Sequence, residues 1–247
     1  MFGLALALSV LTGVSLGLLG GGGSILTTPI LIYVLGVPAK PAIATSLLVV
    51  SLTSTAGFVQ HARLGNVVWK TGVAFGTAGM AGAYLGGLAT RWISDTVLLS
   101  MFALMMLATA FFMFRGRRTP SGAVDGRGSS LLRVLAQGAI VGLITGLLGA
   151  GGGFLVVPAL ALLGGLPMQK AVGTSLLVIA MNTASGFAGH IQHTPIDLAL
   201  ALGMSAASVA GSFIGSALGK QVKPENLRQG FAVFVLVMGC FVLYQQG

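Results

Sequence analysis

Shifted by 129 positions, the chain aligns with itself without a gap from Gly13 opposite Gly142 to about Met113 opposite Val242. So long an ungapped match marks a duplication, and whatever one half folds into the other must also fold into. Along this register Pro29 meets Pro158 and Pro38 meets Pro167, while Thr45-Ser46-Leu47-Leu48-Val49 meets Thr174-Ser175-Leu176-Leu177-Val178. Gly57-Phe58 meets Gly186-Phe187, His61 meets His190, Gly82 meets Gly211 and Gly86 meets Gly215. Only Arg115 to Ser130, rich in Arg, Gly and Ser, falls outside the match. The expected organisation is a first repeat over 1–114, a linker over 115–130 and a second repeat over 131–247, joined in one membrane domain.

Membrane residence follows from the runs inside each half. At about 20 residues per crossing, the runs 42–59, 71–89 and 97–114 are long enough to span in the first half, and 171–189, 197–218 and 228–244 in the second. Charged residues make up 7% of the chain, against about 25% in soluble domains, which excludes a soluble globule. A net charge of +9 would suggest nucleic acid in a soluble protein. Here the basic residues lie between apolar segments and set topology instead, so no nucleic-acid partner is expected and the lipid bilayer is. Cys240, the single cysteine, allows no intramolecular disulfide. The N-terminus carries no basic region ahead of its apolar run, so no signal peptide is expected.

The most unusual stretch is Gly17-Leu18-Leu19-Gly20-Gly21-Gly22-Gly23-Ser24, which returns as Gly146-Leu147-Leu148-Gly149-Ala150-Gly151-Gly152-Gly153. Glycine costs a helix about 1 kcal/mol per residue relative to alanine, so the helix is expected to break at both places. Broken backbone at membrane depth is tolerated only where it is buried in protein or lines a wet cavity. The flanking arms, 3–19 with 25–36 and 131–148 with 154–165, suit either one crossing plus a stub or a hairpin that enters and leaves on one side. Charge chooses the hairpin. The linker carries Arg115, Arg117, Arg118 and Arg127, with Arg133 close behind, against Asp125 alone, which places it in the cytoplasm. With hairpins, the loop holding Lys220, Lys223 and Arg228 also falls inside and the loop holding His190, His193 and Asp197 outside; a spanning segment would reverse both. The expected fold is therefore an all-α polytopic membrane protein of two inverted repeats. Each repeat has three transmembrane helices and a glycine-broken re-entrant helical hairpin, and both termini are external.

Each second arm begins near Ser24 or Gly153, and its first turn offers N–H groups with no intrahelical partner. Such a turn attracts anions, and in an inverted repeat two of them converge near the midplane. Candidate substrate-binding residues are Gly20, Gly21, Gly22, Gly23 and Ser24, with Gly149, Gly151, Gly152 and Gly153. No Gly-Lys-Ser/Thr follows either cluster, so nucleotide binding is not expected. Thr45, Ser46, Thr174 and Ser175 stand at the entry of the following crossings, where they either cap or bond their own helix or contact a ligand. Asn182, the counterpart of Thr53, is a polar amide in an apolar run and needs a partner. His61 and His190 read as interfacial histidines, and His190 with His193 lacks the company of a metal site. No cofactor, no metal and no catalytic residue is expected. All four acids fall in loops and no Lys or Arg lies in a span centre, so an anion held by neutral N–H and O–H donors fits better than a cation or a proton.

The residues now quoted carry a resemblance. Gly-Leu-Leu-Gly-Gly-Gly-Gly with its downstream proline, Ala-Thr-Ser-Leu-Leu, and Gly-Phe ending at His61, all repeated in the second half, resemble the TauE/SafE sulfite exporter family, also called TSUP. The resemblance covers nearly the whole chain outside the linker. It implies a multi-pass inner (plasma) membrane transporter, not an enzyme, that moves small sulfur-containing anions such as sulfite or organosulfonates, with export the expected direction. Ala150 stands where the first half has Gly21, and Gly153 replaces Ser24, so the two hairpins need not contribute equally. Anion export runs with an inside-negative potential worth ~2.3 kcal/mol per charge per 100 mV, so no coupling ion is required. A channel-like pore of other oxyanion selectivity, using the same breaks as a filter, is the alternative.

Overall fold

The structure, a computed structural model, describes residues 2–19, 22–115, 131–149, 152–158, 160 and 166–218, and beyond them 233, 236–237, 239–242 and 244. The described residues are helical, with no strand among them. The first helix, α1, runs Phe2–Leu19 and stops at the glycine run. A 3-10 turn over Gly22–Leu26, a three-residue α2 over Thr27–Pro29 and a π-helical turn over Ile30–Val34 follow, and this irregular arm packs against α1. Long helices come next: α3 (Ala39–Arg63), α4 (Trp69–Ala89) and α5 (Asp95–Arg115). In the second half α6 covers Leu131–Leu148, α7 Gly153–Pro158, α8 Met168–His190 and α9 Leu198–Leu218.

Proline sets the start of both central helices. Pro38 and Pro167 are extended, with ψ of 153° and 142°, and each is the residue from which α3 or α8 departs. α3 closes through Leu64 and Gly65, the latter at φ +71°, a conformation that costs glycine nothing.

Packing follows the small residues. α4 lies against α6 and α8, α9 lies against α1 and α3, and α3 crosses α8. At the α4–α6 contact a methyl on Gly142 would overlap the Gly79 carbonyl, one on Gly146 the Ala83 carbonyl, and one on Gly82 the Ala139 carbonyl. At the α1–α9 contact the overlaps are Gly13 with Ser208, Gly17 with Ser212 and Gly211 with Val10. Each first-set pair, moved by the repeat register, lands on a pair of the second set with the halves exchanged: Gly142 with Gly79 becomes Gly13 with Ser208. At the α3–α8 crossing the Ser51 hydroxyl lies 3.5 Å from the Ala180 carbonyl oxygen, and these two residues are repeat counterparts of one another.

Three helices are long and apolar enough to cross a bilayer among the described residues: Ala39–Arg63, Gln169–His190 and Leu198–Leu218. The expected runs 71–89 and 97–114 are helical as α4 and α5, yet they fall outside that set. Dense glycine together with Lys70, Thr71 and Thr77 lowers the hydropathy of α4. The expected last crossing, 228–244, lies largely outside the described residues, as does the linker 115–130 apart from Arg115, which ends α5 instead. Large apolar side chains point outward, among them Leu85, Leu104, Leu132 and Phe213, as a lipid-facing surface requires.

Backbone contacts of this kind leave no room for a side chain. We expect Gly142→Ala and Gly13→Ala each to lower the thermal stability of the purified protein, by about 1–3 kcal/mol or more. Gly3→Ala, where a new methyl would meet nothing within 4 Å, should be neutral. Equal melting temperatures for all three would contradict the packing described.

Candidate functional site

The second break is fully defined on its α6 side. Gly149 (φ +66°) and Gly152 (φ +61°) both hold left-handed backbone, which a residue with a Cβ adopts only under strain. The Gly149 N–H still donates to the Thr145 carbonyl at 3.0 Å, so the glycine closes α6 much as a helix C-cap does. A methyl on Gly149 would lie 2.7 Å from Ile43, and one on Gly152 would strike the Thr145 hydroxyl. Past this turn Leu155 and Val156 N–H donate to the Gly152 carbonyl at 2.9 and 2.8 Å and open α7.

The first half reaches across to this turn. Ser46 on α3 donates its hydroxyl to the Gly149 carbonyl at 2.6 Å and also lies 2.9 Å from the Ile43 carbonyl. Thr28, from α2 beside the first break, donates to Ser46 at 2.9 Å and approaches the Gly149 carbonyl at 3.4 Å. Both hydroxyls are buried. Ile25 and Leu26 from the first irregular arm share an apolar cluster with Leu148, and Leu155 packs against it.

The proposed residues thus divide. Ser46 and Gly149 come together, with Gly152, Gly153, Ser24, Gly22 and Gly23 on the two arms around them. Gly20, Gly21 and Gly151 lie outside the described residues. Ser46 and Thr45 sit in the second turn of α3, past its start at Ala39, so neither caps that helix. Thr174 stands apart, accepting the Val68 N–H at 2.9 Å where α4 begins. Ser175 donates to the Val172 carbonyl of its own helix at 2.7 Å. Asn182 is fully buried with neither amide atom hydrogen-bonded, its side chain filling the space that a Cβ on Gly79 would need.

Two features were not read from the sequence. Thr28 is one, although Thr27-Thr28-Pro29 beside a glycine run is a polar pair in an apolar setting and could have been singled out. His190 is the other. It is fully buried rather than interfacial, and its Nε2 lies 2.8 Å from the Gly146 carbonyl, in the last turn before the break. Thr90 bridges it to the loop: its hydroxyl donates to the Gly87 carbonyl and lies 3.4 Å from both His190 Nδ1 and His193 Nε2. Outside the helices, burial and then the charges of Arg91 and Lys40 hold the His193 imidazole below its ordinary range. Lys40 itself stands 4.0 Å from Asp95.

Long apolar helices and outward-facing hydrophobic side chains define a helical membrane protein. Comparison with known proteins gives the family. The chain matches the family described as Sulfite exporter TauE/SafE over residues 5–242, and it belongs to that family. A relative in Xylella fastidiosa (strain 9a5c), named "Probable membrane transporter protein", is 34% identical over 242 residues, covering 95% of this chain and 92% of the relative. A protein named as another such transporter in Methanocaldococcus jannaschii is 28% identical over 261 residues, covering 98% of this chain and 97% of the relative. One in Bacillus subtilis is 26% identical over 267 residues, covering 99% and 98%. No solved structure matches this chain.

Because His193 resists protonation in the folded protein, its contribution to stability is present above the ordinary histidine value of 6.5 and is lost as pH falls from there through its lower folded value. Arg91→Gln removes one of the opposing charges. We expect the His193 ring proton signals in NMR to titrate at higher pH in this variant than in the parent; an unchanged midpoint would contradict the placement of Arg91.

Proposed function

We propose that the protein carries small sulfur-containing anions, sulfite or organosulfonates, out of the cell across the inner membrane. In this reading the halves are inverted repeats, each with a re-entrant glycine-broken hairpin, and 115–130 is a cytoplasmic linker between repeats 1–114 and 131–247. The exchange of glycine contacts under the repeat register supports the repeat, since a two-fold relation demands that every α4–α6 contact have an α1–α9 twin. Charge supports the orientation. Arg63, Lys70 and Lys170 share the end where Val68 meets Thr174, with no acid among them, whereas Lys40 and Arg91 share the other end with Asp95. The more basic end then faces the cytoplasm together with the linker.

The observation that carries the reading is the meeting of Thr28 and Ser46 with the Gly149 turn. Buried hydroxyls from one half hold the broken backbone of the other, and the open first turn of α7 stands next to them. The Thr28 and Ser46 protons are held by Ser46 and the Gly149 carbonyl, so an anion there must win them from the turn, and such neutral donors suit an oxyanion that must also be released. We place the anion between Gly20–Ser24 and Gly149–Gly153, with Thr45, Ser46, Thr174, Ser175 and Asn182 as candidate donors. Ser46 is the best placed of these. The family name supports the sulfur anion as substrate class.

Gly22→Val and Gly151→Val test the site. In a thermal-shift series with sulfite, sulfate, thiosulfate and small sulfonates, a ligand at a hundred times its dissociation constant adds about 2.7 kcal/mol to the parent. Both variants should lose that gain while still folding. Undiminished stabilisation in both would refute the site, and export from vesicles that ignores the membrane potential would refute the driving force.

A further inference from the structure

Among the described residues His190 is the one buried side chain that titrates near neutral pH. Ionisable side chains are rare within membrane spans, and those present mark ion and proton paths. The His190 imidazole also finishes a helix. The last carbonyls of a helix lack intrahelical donors. In α6 the Thr145 carbonyl takes the Gly149 N–H at 3.0 Å, and the Gly146 carbonyl lies 2.8 Å from His190 Nε2. A carbonyl can only accept, so Nε2 carries the proton and Nδ1 of the neutral ring is left with a lone pair.

Thr90 joins this buried ring to the surface. Its oxygen stands 3.4 Å from His190 Nδ1 and 3.4 Å from His193 Nε2, with its own proton on the Gly87 carbonyl. His193 is partly exposed, its N–H donates to the His190 carbonyl at 3.1 Å, and the two rings lie 5.8 Å apart. Three side chains thus form a row from the loop to the end of α6, just ahead of the Gly149 turn. The repeat supplies a control within the same molecule. His61, the counterpart of His190, has a buried Nδ1 with no hydrogen-bond partner, and Leu64 and Gly219 stand where this row has His193 and Thr90. Duplication alone does not require the row.

We propose that His190 is a proton-binding site loaded from the loop through His193 and Thr90, and that its proton and the transported anion bind together. In the loading step protonated His193 gives its Nε2 proton to the Thr90 oxygen, while the Thr90 hydroxyl proton leaves the Gly87 carbonyl for His190 Nδ1. His193 ends neutral, Thr90 keeps one proton, and His190 becomes a cation whose Nε2–H stays on Gly146. A cation suits this position, because the carbonyl end of a helix carries partial negative charge.

The groups facing the row decide when it fills. Burial, then Arg91 beside Thr90 and Lys40 at the start of α3, oppose a proton on His193. Asp95 lies 4.0 Å from Lys40 and offsets that cation. Tyr84 of α4 receives the Gln192 amide, and Asp197 accepts the Leu200 N–H at the start of α9. Lys70, Lys170 and Arg133 stand at the opposite ends of α4, α8 and α6. An anion at the neighbouring Gly149 turn tips this balance toward the proton, and by reciprocity the proton tightens the anion. The row opens at one end of the bundle, so the proton enters and leaves on the same side as a ligand rather than a cargo. The proton site stands on these contacts; its link to the anion rests on the transport reading.

The test separates the two. Histidine ring nitrogen-15 NMR of the purified protein, in chloride alone, is followed from pH 8 to pH 4 while the tryptophan signals show an intact fold. At pH 8 His190 should show a protonated Nε2 and a bare Nδ1, and acid should protonate Nδ1 before the fold is lost. The reverse tautomer, or an Nδ1 that stays bare until unfolding, would overturn the site. Thr90→Val should slow proton exchange at Nδ1 at least tenfold, and an unchanged rate would overturn the path; His61→Gln should alter neither. Binding of methanesulfonate, an anion with no titrating proton, is then measured at pH 6 and pH 8. The parent should bind it at least fivefold more tightly at pH 6. In His190→Gln, whose amide keeps an N–H for Gly146 but does not titrate, the two affinities should be equal. Equal affinities in the parent, or a pH dependence that survives His190→Gln, would overturn the coupling. No binding of methanesulfonate or sulfite at either pH would sink the transport reading, with the proton site already decided by the ring signals.

Discussion

Close approach of helix backbones through glycine is the contact on which the rest of this structure depends. Lipid is as apolar as the side chains it meets, so helices in a membrane gain little by hiding hydrophobic groups from it and associate through tight van der Waals packing instead. Gly142 against the Gly79 carbonyl and Gly13 against the Ser208 carbonyl bring α6 onto α4 and α1 onto α9 with nothing between the main chains. These two contacts tie each half to the other rather than to itself. α4 of the first half is held by α6 of the second, and α9 of the second by α1 of the first. The short irregular turns follow α1 and α6, so the same glycines that pack the bundle also hold the helix ends in position. Composition and site are consequences of one requirement.

That exchange has a geometric corollary. Where two counterparts touch each other, as Ser51 and Ala180 do, any two-fold axis in the proposed inverted repeat would pass between them. The Gly149 turn lies beside Ile43 and Ser46, nearer the start of α3 than Ser51 is. An element displaced from the axis meets different residues from those its twin meets, and selection can then act on each separately. The differences found here, Ser24 against Gly153, Gly21 against Ala150 and Thr53 against Asn182, lie beside the breaks or in the small cavity between α1, α3 and α9 and its counterpart.

Much of this was legible in the sequence because it is written in residue types with few alternative uses. Runs without charge mark helices for a bilayer, and a glycine run followed by a proline marks a helix end, so α1 stops at Leu19 and α6 at Leu148 where the glycines begin. Placement of polar side chains was harder to read. Thr45-Ser46 and Thr174-Ser175 look identical in sequence, yet in one pair it is the serine that crosses to the other half, Ser46 donating to the Gly149 carbonyl at the break, and in the other the threonine, Thr174 accepting the Val68 N–H where α4 begins. Which of two adjacent hydroxyls faces a neighbour depends on helix rotation, and helices that are apolar on every side give no periodic signal for it. His190 was misjudged for a related reason. A histidine at the end of a run looks interfacial unless its partner is visible, and the partner is a backbone carbonyl, that of Gly146, which no sequence pattern reveals.

The proton inventory of the buried hydroxyls reaches further than their identity. Ser46 spends its proton on a broken helix and so secures backbone that would otherwise be unsatisfied in lipid. Thr12, Thr53 and Ser208 spend theirs on the Ser9 and Val49 carbonyls. Residues of one chemical kind thus do the same work in both places: at the break and around the small cavity the hydroxyl proton goes to a neighbouring oxygen. The sequence shows the hydroxyls; only their carbonyl partners, fixed by the glycine-packed frame, show which way they face.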